Sequence, residues 1–244
     1  EKENAEARKV LMNDLRKALI PNLSDNFKET RKYVNDIKKN PQFGGGKEFR
    51  DHSWIGIHFK NIFSWQSKKD KKGKKQWLRD IPQFQVSLDT TGLSVLLNVD
   101  HSSHNIREVV HEVIKNQKNK CFNILKTLDP DVTVFVKTTN KGKKFSATLP
   151  TDKRMEWSIS KLQLQDMDEI IKFLSKPRGQ LMVGIQFSES EAMKPSIVDE
   201  LSNGLEKLYP LYMFLTKNNN SGGNGNSGNS GDNGNSGNSG GSID

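Results

Sequence analysis

The chain has 244 residues, 38 of them lysine or arginine and 29 aspartate or glutamate, so its formal net charge at neutral pH is +9. Its one cysteine, Cys121, excludes an internal disulfide and favours a reducing, cytoplasmic compartment. No apolar run approaches the ~18 residues of a membrane-spanning helix, and the charged start Glu1-Lys2-Glu3-Asn4 does not read as a secretory signal.

Residues 3–39 read as helical, with Val10, Leu11, Leu15, Ala18 and Leu19 at helical spacing, then Leu23, Phe27, Val34 and Ile37. Pro21 and Asn22 break or kink that run, and Ser24 is the natural N-cap of its second part. Ser53-Trp54-Ile55-Gly56-Ile57-His58-Phe59 reads as a strand, and a lysine loop lies between Trp65 and Trp77. The clearest local signal comes next. Phe84, Val86 and Leu88 alternate with polar residues, Asp89-Thr90-Thr91-Gly92 turns the chain, and Leu93, Val95, Leu97 and Val99 alternate back, which predicts a β-hairpin. The next helix is capped near Ser103 or by a box of Asn105 and Glu108, with Ile106, Val109, Val110, Val113, Ile114 and Gln117 on one face.

Residues 132–137 predict a further strand, and Lys141-Gly142-Lys143-Lys144 a turn into a strand over 145–149. Trp157, Ile159 and Leu162 predict a short strand. Asp166-Met167-Asp168-Glu169 reads as a capping box for a helix ending before Pro177. Residues 181–187 are apolar enough for a buried strand. Pro195 suits the first position of a last helix carrying Ile197, Leu201, Leu205, Leu208, Tyr212 and Leu215, with a kink expected at Pro210.

Residues 218–242 are Asn, Gly and Ser except for Asp232. With no apolar side chain to bury, nothing there offsets the ~1–2 kcal/mol per residue that ordering a backbone costs, so this tail is expected to be disordered. The chain therefore reads as one α+β domain over residues 1–217, a mostly antiparallel or mixed sheet packed by helices, with two similar halves as an option. The tail over 218–244 holds two acids, Asp232 and Asp244, and no base, so the folded part carries +11.

Several chemistries find little foothold. His101, His104 and His111 sit near Asp100, Glu108 and Glu112, but His104, Glu108, His111 and Lys115 form the helix stripe opposite the apolar one, which reads as a solvated face rather than a zinc site. There is no Gly-x-Ser-x-Gly elbow for a nucleophile. Gly44-Gly45-Gly46-Lys47 lacks the upstream glycine and the subsequent Ser or Thr of a phosphate loop. Cys121, beside Phe122, Ile124 and Leu125, reads as a small buried thiol.

The positive signal is charge density. Residues 68–75 hold six lysines and one aspartate, a local charge of +5, bracketed by Trp65 and Trp77. Dense cations neutralise phosphates with release of counterions, and exposed tryptophans stack on bases. Lys137, Lys141, Lys143, Lys144, Lys153 and Arg154 make a second basic cluster. The bland reading is that both clusters are solvated hairpin loops, with Trp65 and Trp77 anchored in the core. Lysine outnumbers arginine 30 to 8, as a compositional bias would also produce.

Gly73-Lys74-Lys75 with Ile81-Pro82-Gln83-Phe84-Gln85-Val86-Ser87-Leu88, Ser53-Trp54-Ile55-Gly56-Ile57 upstream and Leu208-Tyr209-Pro210-Leu211-Tyr212 at the end resembles the YktB-like family of bacterial proteins. That resemblance implies a compact α+β single domain and brings no activity with it. Trp54-Ile55-Gly56-Ile57 with Gly92-Leu93-Ser94-Val95-Leu96-Leu97-Asn98 is similar to the N-terminal DNA-reading domain of McrB-type restriction subunits, which implies recognition of modified DNA.

Taken together, the residues predict a non-catalytic module that binds DNA, RNA or another polyanion through Trp65, Lys68, Lys69, Lys71, Lys72, Lys74, Lys75, Trp77, Lys137, Lys141, Lys143 and Lys144, without metal or cofactor. The rival readings are an enzyme or small-ligand binder with a pocket between sheet and helices, and a scaffold protein spaced from a partner by its tail.

Overall fold

Alternation of apolar and polar residues along the middle of the chain produces a sheet with one oily face, and that face organises the core of the described residues. In the computed structural model the described residues are 2–28, 30–34, 53–59, 82–89, 92–99, 104–138, 154–176 and 179–217. Their elements are α1 (Lys2–Asn22), a 3-10 turn (Asp25–Phe27), β1 (Thr30–Val34), β2 (Ser53–Phe59), β3 (Gln83–Asp89), β4 (Gly92–Val99), α2 (His104–Asn116) and α3 (Lys118–Lys126). They continue with β5 (Thr133–Thr138), β6 (Arg154–Ser158), α4 (Asp166–Ser175), β7 (Gly179–Phe187), α5 (Glu189–Ala192) and α6 (Ile197–Lys217). The seven strands form one sheet in the order β1-β2-β3-β4-β7-β5-β6, and every pairing is antiparallel. The expected α+β class is the one that forms.

The predicted hairpin is β3–β4, in register from Gln83↔Asn98 to Asp89↔Gly92. Gly92 takes φ +125°, which side chains avoid, and a Cβ there would lie 2.7 Å from the Phe187 carbonyl oxygen. Val86 stands opposite Val95, Val95 opposite Ile185, Leu97 opposite Val183, and Val183 opposite Val134. These side chains make the buried floor on which the helices sit. β7, expected to be buried, runs through the middle of the sheet between β4 and β5.

α6 crosses this floor. Gly204 brings the helix onto β4, its Cβ position being 3.4 Å from Val95 Cβ. Phe84 of β3 stacks on Tyr212 of α6 with ring centroids 4.8 Å apart, and Phe27 meets Phe84 edge-on at 5.3 Å. The helix continues through the exposed Pro210. α1 lies alongside, held where Ser202 Oγ donates to the Asn22 carbonyl (2.6 Å) and where Ser24 Oγ and Asn26 Nδ2 both donate to the Glu206 carboxylate.

Several expectations need correction. The helical run stops at Asn22, and Thr30–Val34 is a strand, because Ser24 caps only a single 3-10 turn and Thr30, Tyr33 and Val34 are residue types that favour a pleated backbone. Within α1 the core side is Met12 and Leu19 with Leu15, whereas Val10 and Leu11 are exposed. The short strand around Trp157 is Arg154–Ser158, and Ile159 already belongs to the turn held by Lys126, whose ammonium donates to the Ile159 carbonyl at 2.7 Å. Of the two starts expected for α2, the box opening at Asn105 is excluded because the helix already includes that residue; the cap position falls at Ser103, the other expected residue, which lies outside the described residues. The box expected at Asp166 is displaced: α4 begins at Asp166, whose Oδ2 accepts from the Gln163 N–H (2.7 Å) ahead of the helix. A capping box does form at α5, between Ser188 and Glu191. Pro195 stands before α6, which starts at Ile197.

Candidate nucleic-acid interface

The register fixes where each strand leaves the sheet. Thr30 pairs with Phe59, Gln83 with Asn98, Val99 with Leu181, Thr138 with Gly179, and Lys137 with Arg154. One end of the sheet therefore gathers Phe59, Gln83, Val99, Thr138, Arg154 and Gly179. The chain enters and leaves both lysine-rich connections at this end: residues 60–81 join β2 to β3, and residues 139–153 join β5 to β6. The first connection contains seven lysines and Arg79 against Asp70 and Asp80, and the second contains four lysines against Asp152. Between β3 and β5 lie β4 and β7, so the nearest attachment points are three strand spacings apart, about 14 Å.

Of the twelve residues expected to carry binding, Lys137 alone falls within the described residues. Trp65, Lys68, Lys69, Lys71, Lys72, Lys74, Lys75, Trp77, Lys141, Lys143 and Lys144 lie outside them, as do the predicted strand over 145–149, the Gly44–Lys47 fragment and the tail. Lys137 stands on β5 on the face turned away from Val134 and Val136, opposite Arg154 of β6 and Gln180 of β7. Two cations directly opposite each other repel. Arg154 is compensated, donating to Glu156 Oε2 at 2.8 Å with its guanidinium 4.8 Å from the centre of the Phe135 ring. Lys137 has no such carboxylate among the described residues, which leaves a half-buried cation at the end of the sheet.

Sequence reasoning missed two further features of this region. Lys176, just before β7, lies 4.3 Å from the Phe173 ring centre. Gln83, Asn98 and Gln180 form a buried amide row on the face opposite the apolar floor, with Gln180 Nε2 donating to Asn98 Oδ1 at 2.8 Å. Their alternation with Phe84, Leu97 and Leu181 was the available signal.

The interior between sheet and helices is apolar. A void of about 10 Å³ there is lined by Ile114, Cys121, Met167, Ile170, Leu181 and other hydrocarbon side chains, too small and too dry for a substrate. Burial pushes the Cys121 thiol up to about 12. On α2, Glu108 and Lys115 are exposed, while His111 is half-buried with Nδ1 3.1 Å from Glu112 Oε1. Among the described residues no three His, Cys, Asp or Glu side chains gather as a metal site, and no described helix is long and apolar enough to cross a membrane. No family model matches the chain, and no curated protein matches it.

Proposed function

We propose that this protein is a non-catalytic, cytoplasmic nucleic-acid-binding module that holds phosphates with its two lysine-rich connections and Lys137. The observation that carries the reading is the shared origin of those connections: the strand ends that bear them leave one end of the sheet about 14 Å apart. That spacing is close to the ~12 Å width of a duplex major groove, so cations rooted on the two sides can reach phosphates on both of its walls. The charge supports it as well, since the two connections hold twelve basic side chains against three acids. Lysine rather than arginine dominates, which suits backbone contact without base readout. The sequence resemblance of residues 54–57 and 92–98 to a DNA-reading domain is a point in favour of nucleic acid over other polyanions.

The test is fluorescence anisotropy with single- and double-stranded DNA and RNA at two salt concentrations. Binding at low salt that weakens steeply as salt rises is expected. Absence of binding at low salt overturns the proposal. Binding that survives replacement of Lys68, Lys69, Lys71, Lys72, Lys74 and Lys75 by glutamine removes the site.

A further inference from the structure

β6 is the last strand of the sheet, and among the described residues it hydrogen-bonds only to β5. Its first three residues are exposed: Met155 is 37% exposed, and the side chains of Arg154 and Glu156 are each 57% exposed. An edge strand presents a row of backbone N–H and C=O groups that a further strand can complete. The sequence of this strand limits which strand that can be. Arg154 and Glu156 point to one face of the sheet, and Met155 and Trp157 to the other.

We propose that β6 pairs antiparallel with β6 of a second copy of this chain, about a two-fold axis at Met155, joining two seven-stranded sheets into one. In that register Arg154 stands opposite the partner subunit's Glu156, Glu156 opposite the partner subunit's Arg154, and Met155 opposite its own counterpart. Keeping the faces matched requires register shifts in steps that move the axis by one residue. An axis at Arg154 sets arginine against arginine, and an axis at Glu156 sets glutamate against glutamate. Like charges directly opposite destabilise a strand pair, and unlike charges stabilise it. The charge pattern is therefore self-complementary in one register and repulsive in both neighbours. Within one chain Arg154 donates to Glu156 Oε2 at 2.8 Å, so the proposed pairing exchanges or shares that contact with the partner subunit's Glu156. A two-fold contact of five-residue strands is small, so the dimer is weak and concentration-dependent.

Sedimentation velocity of the full chain across a concentration series tests this, with circular dichroism to confirm folding of each variant. Wild type is expected to shift from monomer to dimer as concentration rises. Glu156→Arg, on an exposed position, is expected to weaken dimerisation about tenfold by placing arginine against arginine, and the double swap Arg154→Glu with Glu156→Arg is expected to restore it. Met155→Cys, under mild oxidation, is expected to give a disulfide-linked dimer, with the buried Cys121 taking no part. A wild-type chain that stays monomeric up to about 1 mM overturns the proposal. So does dimerisation unchanged by Glu156→Arg, a folded double swap that stays monomeric, or a dimer that Met155→Cys fails to cross-link. Nucleic-acid binding is read separately and does not enter any of these outcomes.

Discussion

Lys207 on α6 donates to Asp129 Oδ2 at 2.6 Å, tying the last helix to the turn between α3 and β5. The hydrogen bond from Lys207, with that from the Asp131 N–H, holds the Asp129 carboxyl below its ordinary value. A depressed carboxyl contributes stability at pH above its unfolded value, near 4, and loses it as pH falls through the folded value. The pair is partly exposed, at 46% and 27% for the two side chains, so solvent screening limits its worth. Asp129→Asn is expected to cost no more than about 1 kcal/mol at pH 7. The difference from wild type should shrink steadily below pH ~4, as read from urea midpoints across a pH series.

Two glycines predict effects of opposite sign. A Cβ on Gly184 of β7 would lie 2.0 Å from the Val95 carbonyl oxygen and 2.9 Å from Leu96 Cα, both backbone, so neither can step aside. Gly184→Ala should break the β4–β7 pairing at the centre of the sheet and cost more than about 3 kcal/mol. A Cβ on Gly204 of α6 meets Val95 side-chain carbons at 3.4–3.5 Å, an ordinary contact. Gly204→Ala should be neutral or stabilising by up to about 1 kcal/mol, because alanine favours the helix interior. Thermal unfolding of the two variants side by side decides both.

The contrast between β3–β4 and β1 explains how much of this fold was legible. The hairpin was readable because Phe84, Val86, Leu93, Val95 and Leu97 fall at alternate positions, with only Leu96 out of pattern, and Gly92 marks the turn, all within one short window. β1 was misread because Phe27 and Val34 are seven apart, a helical spacing produced by chance across the boundary between the 3-10 turn and β1. The insertion of β7 between β4 and β5 was not legible, since it depends on which distant strand matches Val95 and Val134 face to face. The candidate interface was legible as charge alone. That its two connections are rooted at one end of the sheet comes from strand order, which no local pattern encodes. Val10 and Leu11 also show the limit of periodicity: α1 rotates to bury Met12 and Leu19, because those side chains face the core beside α6.

Cys121 offers a clean probe of the core. It is 1% exposed, and burial among hydrocarbon lifts its thiol to about 12, so the reactive thiolate is almost absent in the folded protein. At pH 8 an aromatic disulfide reagent should leave the native protein unlabelled for as long as it stays folded. In denaturant the thiol, near its ordinary value of about 8.5, should react at once. Fast labelling of the native chain would show that the layer between α3 and β5 opens locally.

Lys137 separates specific phosphate contact from diffuse attraction. Each phosphate a protein neutralises on duplex DNA steepens the plot of log affinity against log salt by about 0.9. If Lys137 meets a phosphate, Lys137→Gln should flatten that slope by roughly this amount while leaving thermal stability unchanged. Lys115 gives the matched control. It is an exposed cation near the far end of α2, about 17 Å along the helix from its start, and already lies 3.9 Å from Glu112. Lys115→Gln should shift affinity slightly through net charge and leave the slope alone. Equal slopes for wild type and Lys137→Gln would take Lys137 out of the interface and leave the reading to the six lysines of residues 68–75. Their joint replacement by glutamine should flatten the slope by up to about 5.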